Sequence, residues 1–197
     1  SGKSTLMHVM SGLDRADEGE VIVDGENILK LKQKAVDRFR AEKIGFIFQS
    51  FFVQGNESVY DNVSMPLEIA NMPRGKRKAR VEAALKAVEL DEKVTNKAKN
   101  LSGGQKQRLA IARAIANEPS IIFADEPTGN LDSVTGAKVE DLLFGYNRNK
   151  GVTLIIVTHD SDLAEKCDMI VHVKDGRIES TEQKEKPEIG RASCRER

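Results

Sequence analysis

Residues 121–127 read Ile121-Ile122-Phe123-Ala124-Asp125-Glu126-Pro127. The apolar residues follow one another without alternation, which marks a strand covered on both faces, and the run stops on two carboxylates. Two other segments repeat that form: Ile44–Phe48 runs into Gln49, and Leu154–Val157 runs into Thr158 and His159. Strands of this kind belong to an open parallel sheet between helices, and such sheets bind ligands just outside the carboxyl ends of their strands. An α/β fold is expected, with Gln49, Asp125, Glu126 and His159 along one edge.

Between Ser50 and Pro119 the pattern turns helical. Val81, Ala84, Leu85 and Val88 recur at helical spacing through Arg80–Leu90. A second helix is predicted from about Gly104 to Ala116, capped by Ser102 and ended before Pro119. Residues 50–118 thus read as a helical subdomain inserted into a core made of 1–49 and 119–180. Val21–Val23 and Met169–Val173 read as further strands, leading into turns at Asp24-Gly25 and Asp175-Gly176. The Lys/Glu-rich residues 181–187 read as disordered. The basic group Arg74, Lys76, Arg77, Lys78 and Arg80 reads as a solvated helix start.

The 197 residues are 39% hydrophobic, enough to bury one substantial core. No apolar run approaches the ~18–20 residues that cross a bilayer, so membrane contact is expected only through a partner. The formal net charge is +0, without the clustered basic excess of nucleic-acid binders. Two cysteines are too few for a disulfide framework. The last ten residues, 188–197, resemble the translation of a sequencing adapter and are set apart from fold reasoning.

The chain opens on Ser1-Gly2-Lys3-Ser4-Thr5, and Gly2-Lys3-Ser4-Thr5 matches the end of the phosphate-binding pattern G-x-x-x-x-G-K-[ST]. There backbone N–H groups and the Lys hold phosphates while the hydroxyl binds Mg²⁺. The helix that follows, with Gly12 as its stop, aims its N-terminal dipole at the same anion. In Leu101-Ser102-Gly103-Gly104-Gln105 two glycines open a helix, which lets a phosphate approach the backbone; a plain helix cap is the other reading.

Leu101–Gln105 is the signature of ABC ATPases, and the remaining motifs resemble that family in its own order. Ile121–Glu126 looks like the Walker B strand, Pro127-Thr128-Gly129-Asn130-Leu131-Asp132 like the D-loop, Gln49 like the Q-loop glutamine and His159 like the switch histidine. The likeness covers nearly all of residues 1–180. It implies a P-loop NTPase (RecA-like) parallel-sheet core, with the strands that precede the loop outside this chain, and weak ATP binding by the chain as it stands. It implies ATP and Mg²⁺ as cofactors, with Ser1, Gly2, Lys3, Ser4, Thr5, Ser102, Gly103, Gly104, Gln105 and Asp132 binding nucleotide. Ser4, Gln49 and Asp125 would hold the metal. Glu126 would orient or deprotonate the attacking water, Gln49 would report the site's state to the helical insert, and His159 would contact the γ-phosphate. His8 and His172 have no such context. The expected partners are a second copy, in a head-to-tail ATP sandwich, and a transmembrane permease subunit, with this chain peripheral at the cytoplasmic face of the membrane.

Ser11-Gly12-Leu13-Asp14, Ile44–Ser50 and Ala124–Ser133 resemble the group serving macrolide and peptide export, lipoprotein release and cell division. Val53-Gln54-Gly55-Asn56-Glu57-Ser58 departs from it, where an apolar, Pro-containing stretch is usual. The group admits export or extraction of a substrate, or control of a wall hydrolase. A DNA-repair ABC ATPase would need long heptad arms or zinc motifs, which Lys3–Ser102 lacks. A translation-associated ABC protein with two cassettes remains open.

Overall fold

The computed structural model describes residues 2–23 and 25–184. The expectations for Ser1, for the turn at Asp24 and for residues 185–197 lie outside the described residues. Lys3–His159 forms one compact unit; a second holds Gly2 and residues 160–184.

In the larger unit, helix α1 (Lys3–Met10) is followed by the short antiparallel strands β1 (Ile22–Val23) and β2 (Glu26–Asn27). Helix α2 (Gln33–Lys43) then leads straight into β3 (Ile44–Ile47). The chain continues through helices α3 (Val59–Ile69), α4 (Arg74–Ala87) and α5 (Gly103–Ile115) to β4 (Ile121–Asp125), helix α6 (Ser133–Lys150) and β5 (Thr153–Val157). Strands β3, β4 and β5 form a parallel sheet in that order, with Ile47 opposite Ala124 and Asp125 opposite Val157. The three apolar runs therefore end at one edge, as expected.

Helix ends follow local chemistry. Ser58 caps α3 and Ser102 caps α5, and the backbone N–H of each donates in return to the side-chain oxygen three residues on, Asp61 or Gln105. Asp132 caps α6, and Gly151 in the left-handed region closes it. Helices α2 and α6 carry weak sequence signals. Only Val36 of α2 is buried, and only Gly136, Val139 and Leu143 of α6, so neither shows a broad apolar stripe.

The helical segment does not have a core of its own. Val63, Leu67, Leu85, Leu109 and Ile115 pack in one cluster with Ile47, Ile122 and Ala124 of the sheet and Val139 and Leu143 of α6. The compact unit accordingly runs through residues 50–118 without a break. A smaller cluster joins Met7 of α1 to Ile44 and Phe123. In the basic group, Arg77 pairs with Glu68 at 2.9 Å, donates to the Met72 carbonyl, and is largely buried; Arg80 pairs with Glu118. These two arginines tie α4 to its neighbours, which a purely solvated helix start would not do.

In the second unit, α7 (Ser161–Ala164) is capped by Asp160, and β6 (Met169–Lys174) pairs antiparallel with β7 (Arg177–Gln183). Residues 181–183, expected to be disordered, are strand. Cross-strand pairing supplies the hydrogen bonds their polar composition does not predict, and His172 meets Glu182 at 2.8 Å.

Candidate active site

The loop leaving β4 holds two carboxylates on consecutive residues, and they face different partners. Asp125 Oδ2 accepts a hydrogen bond from Ser4 Oγ at 3.2 Å, which brings the second residue of α1 to the end of β4. Glu126 turns the other way, to the end of β5. Its Oε1 lies 2.8 Å from His159 Nδ1, its Oε2 accepts from Thr158 Oγ1 at 3.1 Å, and its backbone N–H donates to the Val157 carbonyl at 2.8 Å. Three successive residues of β5 and its exit thus frame one glutamate.

Glu126 has φ 45°, in the left-handed region that L-residues other than Gly seldom occupy. Such backbone strain costs on the order of 1–3 kcal/mol and persists where the surroundings over-determine it. Those surroundings are visible here: Gly129 N–H donates to the Glu126 carbonyl at 3.1 Å, beside the Val157 contact.

Lys3, half-buried, is the first residue of α1, and Ser4 and Thr5 follow on its exposed first turn. Orphan N–H groups at a helix start and a lysine suit an anion. Gln49 stands at the exit of β3 and is joined to the loop after β4: its carbonyl accepts from Asn130 Nδ2 at 2.9 Å, and its Nε2 lies near Gly129. Lys3, Ser4, Gln49, Asp125, Glu126 and His159 thus belong to the first turn of α1 and the three strand exits. His8 lies on α1 and His172 on β6, neither in this group.

The signature residues stand apart. Ser102 Oγ accepts from Gln105 N–H at 3.3 Å, while Gln105 Oε1 accepts from Ser102 N–H at 3.0 Å. Among the described residues no hydrogen bond joins Ser102 to Ser4, Asp125 or Glu126. The two glycines differ. A Cβ on Gly103 would meet open space, whereas one on Gly104 would lie 2.4 Å from Thr135 Cγ2. Gly103 can let a ligand approach; Gly104 makes room for α6. Asp132 likewise serves its own chain, accepting from Thr135 N–H at 3.0 Å, and the Thr135 hydrogen bonds hold its carboxyl below the usual range.

The motif reading gave no role to four polar residues of this constellation: Thr158 on Glu126, Asn130 on Gln49, Gln107 on the Pro127 carbonyl at 2.5 Å, and Arg113 on the Phe51 and Phe52 carbonyls at 3.0 and 2.6 Å. Burial lowers the pKa of the Arg113 guanidinium. For Gln107 a signal was present, because a glutamine sits four residues before Ile111 on the inward face of α5.

Hard oxygens suit Mg²⁺, which takes one or two protein ligands and fills the rest of its shell with water and phosphate oxygens. The Ser4 hydroxyl beside the Asp125 carboxylate fits that need. Among the described residues no cluster of three or more His, Cys, Asp or Glu offers a fuller cage.

Residues 1–129 match the family described as ABC transporter. An uncharacterised ABC transporter ATP-binding protein of Thermotoga maritima is 41% identical over 184 residues, covering 93% of this chain and 78% of that one. The lipoprotein-releasing system ATP-binding protein LolD of Syntrophus aciditrophicus is 43% identical over 178 residues, covering 90% and 80%. Among solved structures, the ATP-binding cassette MJ0796, dimeric and bound to ADP and Pi, superimposes with a TM-score of 0.82 at 40% identity, covering 92% of this chain and 80% of that one. With P-loop, sheet edge and signature helix all in the family's order, this chain belongs to the ABC transporter family, among its ATP-binding ATPases.

Proposed function

We propose that this chain binds Mg²⁺–ATP at the carboxyl ends of β4 and β5 and hydrolyses it to drive export or extraction of a substrate through a separate transmembrane permease subunit. One observation carries the reading. Consecutive carboxylates at a strand exit are split between a P-loop hydroxyl, Ser4 to Asp125 at 3.2 Å, and a histidine, His159 to Glu126 at 2.8 Å. A metal-holding pair thereby adjoins a base.

Each residue then has a task. Lys3 and the N–H groups of the first turn of α1 bind phosphate oxygens, and Gly2 admits the backbone close to them. Ser4 and Asp125, with Gln49, would hold Mg²⁺, which supplies charge neutralisation on the phosphates. Glu126 orients a water and takes its proton as the water oxygen bonds to the γ-phosphorus; the bond to ADP breaks and its electron pair leaves with ADP. His159, from the end of β5, contacts the γ-phosphate and fixes the glutamate.

Ser102 and Gly103 are exposed at the start of α5 and, among the described residues, make no hydrogen bond to this chain's own P-loop. They are available to the ATP of a second copy, in a head-to-tail dimer with two sandwiched nucleotides. That solved cassettes of this kind are described as dimeric supports the arrangement. Among the described residues no helix is long and apolar enough to cross a membrane, so membrane contact falls to the permease subunit, with this chain peripheral on the cytoplasmic face. Relatives described as lipoprotein-releasing favour release over wall-hydrolase control.

Glu126→Gln in the full-length protein is expected to keep Mg²⁺-dependent ATP binding while turnover falls about 10²–10⁴-fold. Steady-state phosphate release with an equilibrium ATP titration measures both, and normal turnover would refute the assignment. Deleting the gene separates the physiological readings. Lipoproteins retained at the cytoplasmic membrane support release, whereas unseparated daughter cells transfer the chain to the cell-division type.

A further inference from the structure

We propose that Gln107 is a positioning residue for Glu126, holding the strained turn after β4 to the helix that carries Ser102. The inference rests on the reading of Glu126 as the base.

Gln107 is 1% exposed, on the inward face of α5 among Leu109, Ala110 and Ile111. Its Nε2 donates to the Pro127 carbonyl at 2.5 Å, and its Oε1 is buried without a hydrogen-bond partner among the described residues. A carbonyl can only accept, so the amide nitrogen must face Pro127. An apolar side chain would fill the same space without leaving a buried oxygen unsatisfied, which costs free energy. What the amide contributes here is its donor, and that donor goes to the residue next to the base.

The turn it holds needs holding. Glu126 sits at φ 45°, and a carboxylate whose backbone can relax to an ordinary φ swings away from the end of β5. Val157 and Gly129 restrain the Glu126 peptide from the sheet and from the loop. Gln107 restrains the following residue from α5, through the carbonyl of Pro127, which is itself buried.

A second contact places α5 at the other end of the same loop. Gly104 fits against Thr135, three residues beyond Asp132, so closely that a Cβ would lie 2.4 Å from Thr135 Cγ2. The loop Glu126–Asp132 is thus bracketed by one helix, at Gln107 and at Gly104. In the proposed sandwich the start of that helix meets the second copy's ATP, so a shift of α5 on closure reaches this chain's own base through Gln107. The link is intramolecular and joins the two nucleotide sites.

Gln107→Met, of similar length and without a donor, and Gln107→Leu, apolar and likewise without a donor, test this in the full-length protein beside Glu126→Gln. Steady-state ATPase, equilibrium ATP binding and thermal unfolding are measured for each. Both Gln107 variants are expected to lose about 10–100-fold in kcat, the range set by a small misplacement of a reacting group, with KM and ATP affinity within about twofold. The melting temperature of Gln107→Met should stay near that of the unaltered protein. A purely structural glutamine predicts the opposite split: turnover per folded molecule intact and melting temperature lowered. Unchanged kcat in either folded variant, or loss of folding in both, overturns the proposal. If the unaltered protein is active, Glu126→Gln is not, and Gln107→Met matches the unaltered protein, this proposal fails alone; if the unaltered protein hydrolyses no ATP, the reading of Glu126 fails and takes it along.

Discussion

At Glu126 the chain accepts a conformational cost in order to aim a carboxylate. Its φ of 45° turns the side chain out of line with β4, so that Asp125 and Glu126, adjacent in sequence, serve α1 and β5 respectively. Thr158 contributes to that aim by donating to Oε2 at 3.1 Å while His159 Nδ1 meets Oε1 at 2.8 Å. Two contacts on two oxygens fix the carboxylate plane, and a carboxylate has lone pairs enough to accept a further bond from water. Thr158→Val keeps the shape and removes the hydroxyl. It is expected to lower kcat about tenfold, or ~1.4 kcal/mol of barrier, with KM for ATP nearly unchanged. Steady-state kinetics over a range of ATP concentrations reads the split, and a raised KM with intact kcat would assign Thr158 to binding instead. The positions of Asp125, Glu126 and His159 were legible because each stands within two residues of the end of an apolar run. The contacts that turn the two carboxylates to opposite partners were not, since they depend on a backbone angle that no residue type announces.

Among the elements, α5 does most to organise the site. It caps itself through Ser102 and Gln105, buries Leu109, Ile111 and Ile115, holds the Pro127 carbonyl, and sends Arg113 to the carbonyls of Phe51 and Phe52 beyond Gln49. Its contact with α6 is close enough to specify a residue type. Gly104→Ala would push a methyl into Thr135 Cγ2, and crowding of this kind costs about 1–3 kcal/mol. Thr135→Ser removes the opposing methyl and keeps the hydroxyl. The double variant is therefore expected to recover most of the stability lost in Gly104→Ala, a coupling that denaturant melts of the four proteins in a double-mutant cycle would reveal. Strict additivity would place the crowding elsewhere. The start of α5 was legible to within a residue, because a serine cap followed by Gly-Gly-Gln is local chemistry. Helix α6 escaped notice although Asp132 and Gly151 mark its ends, because only three of its 18 residues are buried. Tertiary contacts, not an apolar stripe, make it a helix.

For the larger unit, the parallel sheet and the helices of residues 50–118 share one interior. Leu109, fully buried, belongs to the cluster that contains Ile122 and Ala124 of β4 and Leu143 of α6. The sequence shows a change of pattern at Ser50 and again at Pro119, and that change is real in secondary structure. It does not mark a boundary in packing, because the residues that seal the insert against the sheet are the same apolar side chains that make its helices amphipathic. A consequence follows for stability. If the helices were an independent insert, a cavity in them would leave β4 protected; with one core, the loss must spread. Leu109→Ala removes a fully buried side chain and is expected to cost about 2–5 kcal/mol, the spread depending on how far the site collapses. Native-state hydrogen exchange gives the decisive readout. The amides of Phe123 and Ala124 should lose protection together with those of Leu85 and Ile111, by the same increment of free energy, since all four report one opening. Loss of protection confined to residues 50–118, with β4 unchanged, would restore the helical segment as a separately stable body and uncouple the signature helix from the strand that carries the base.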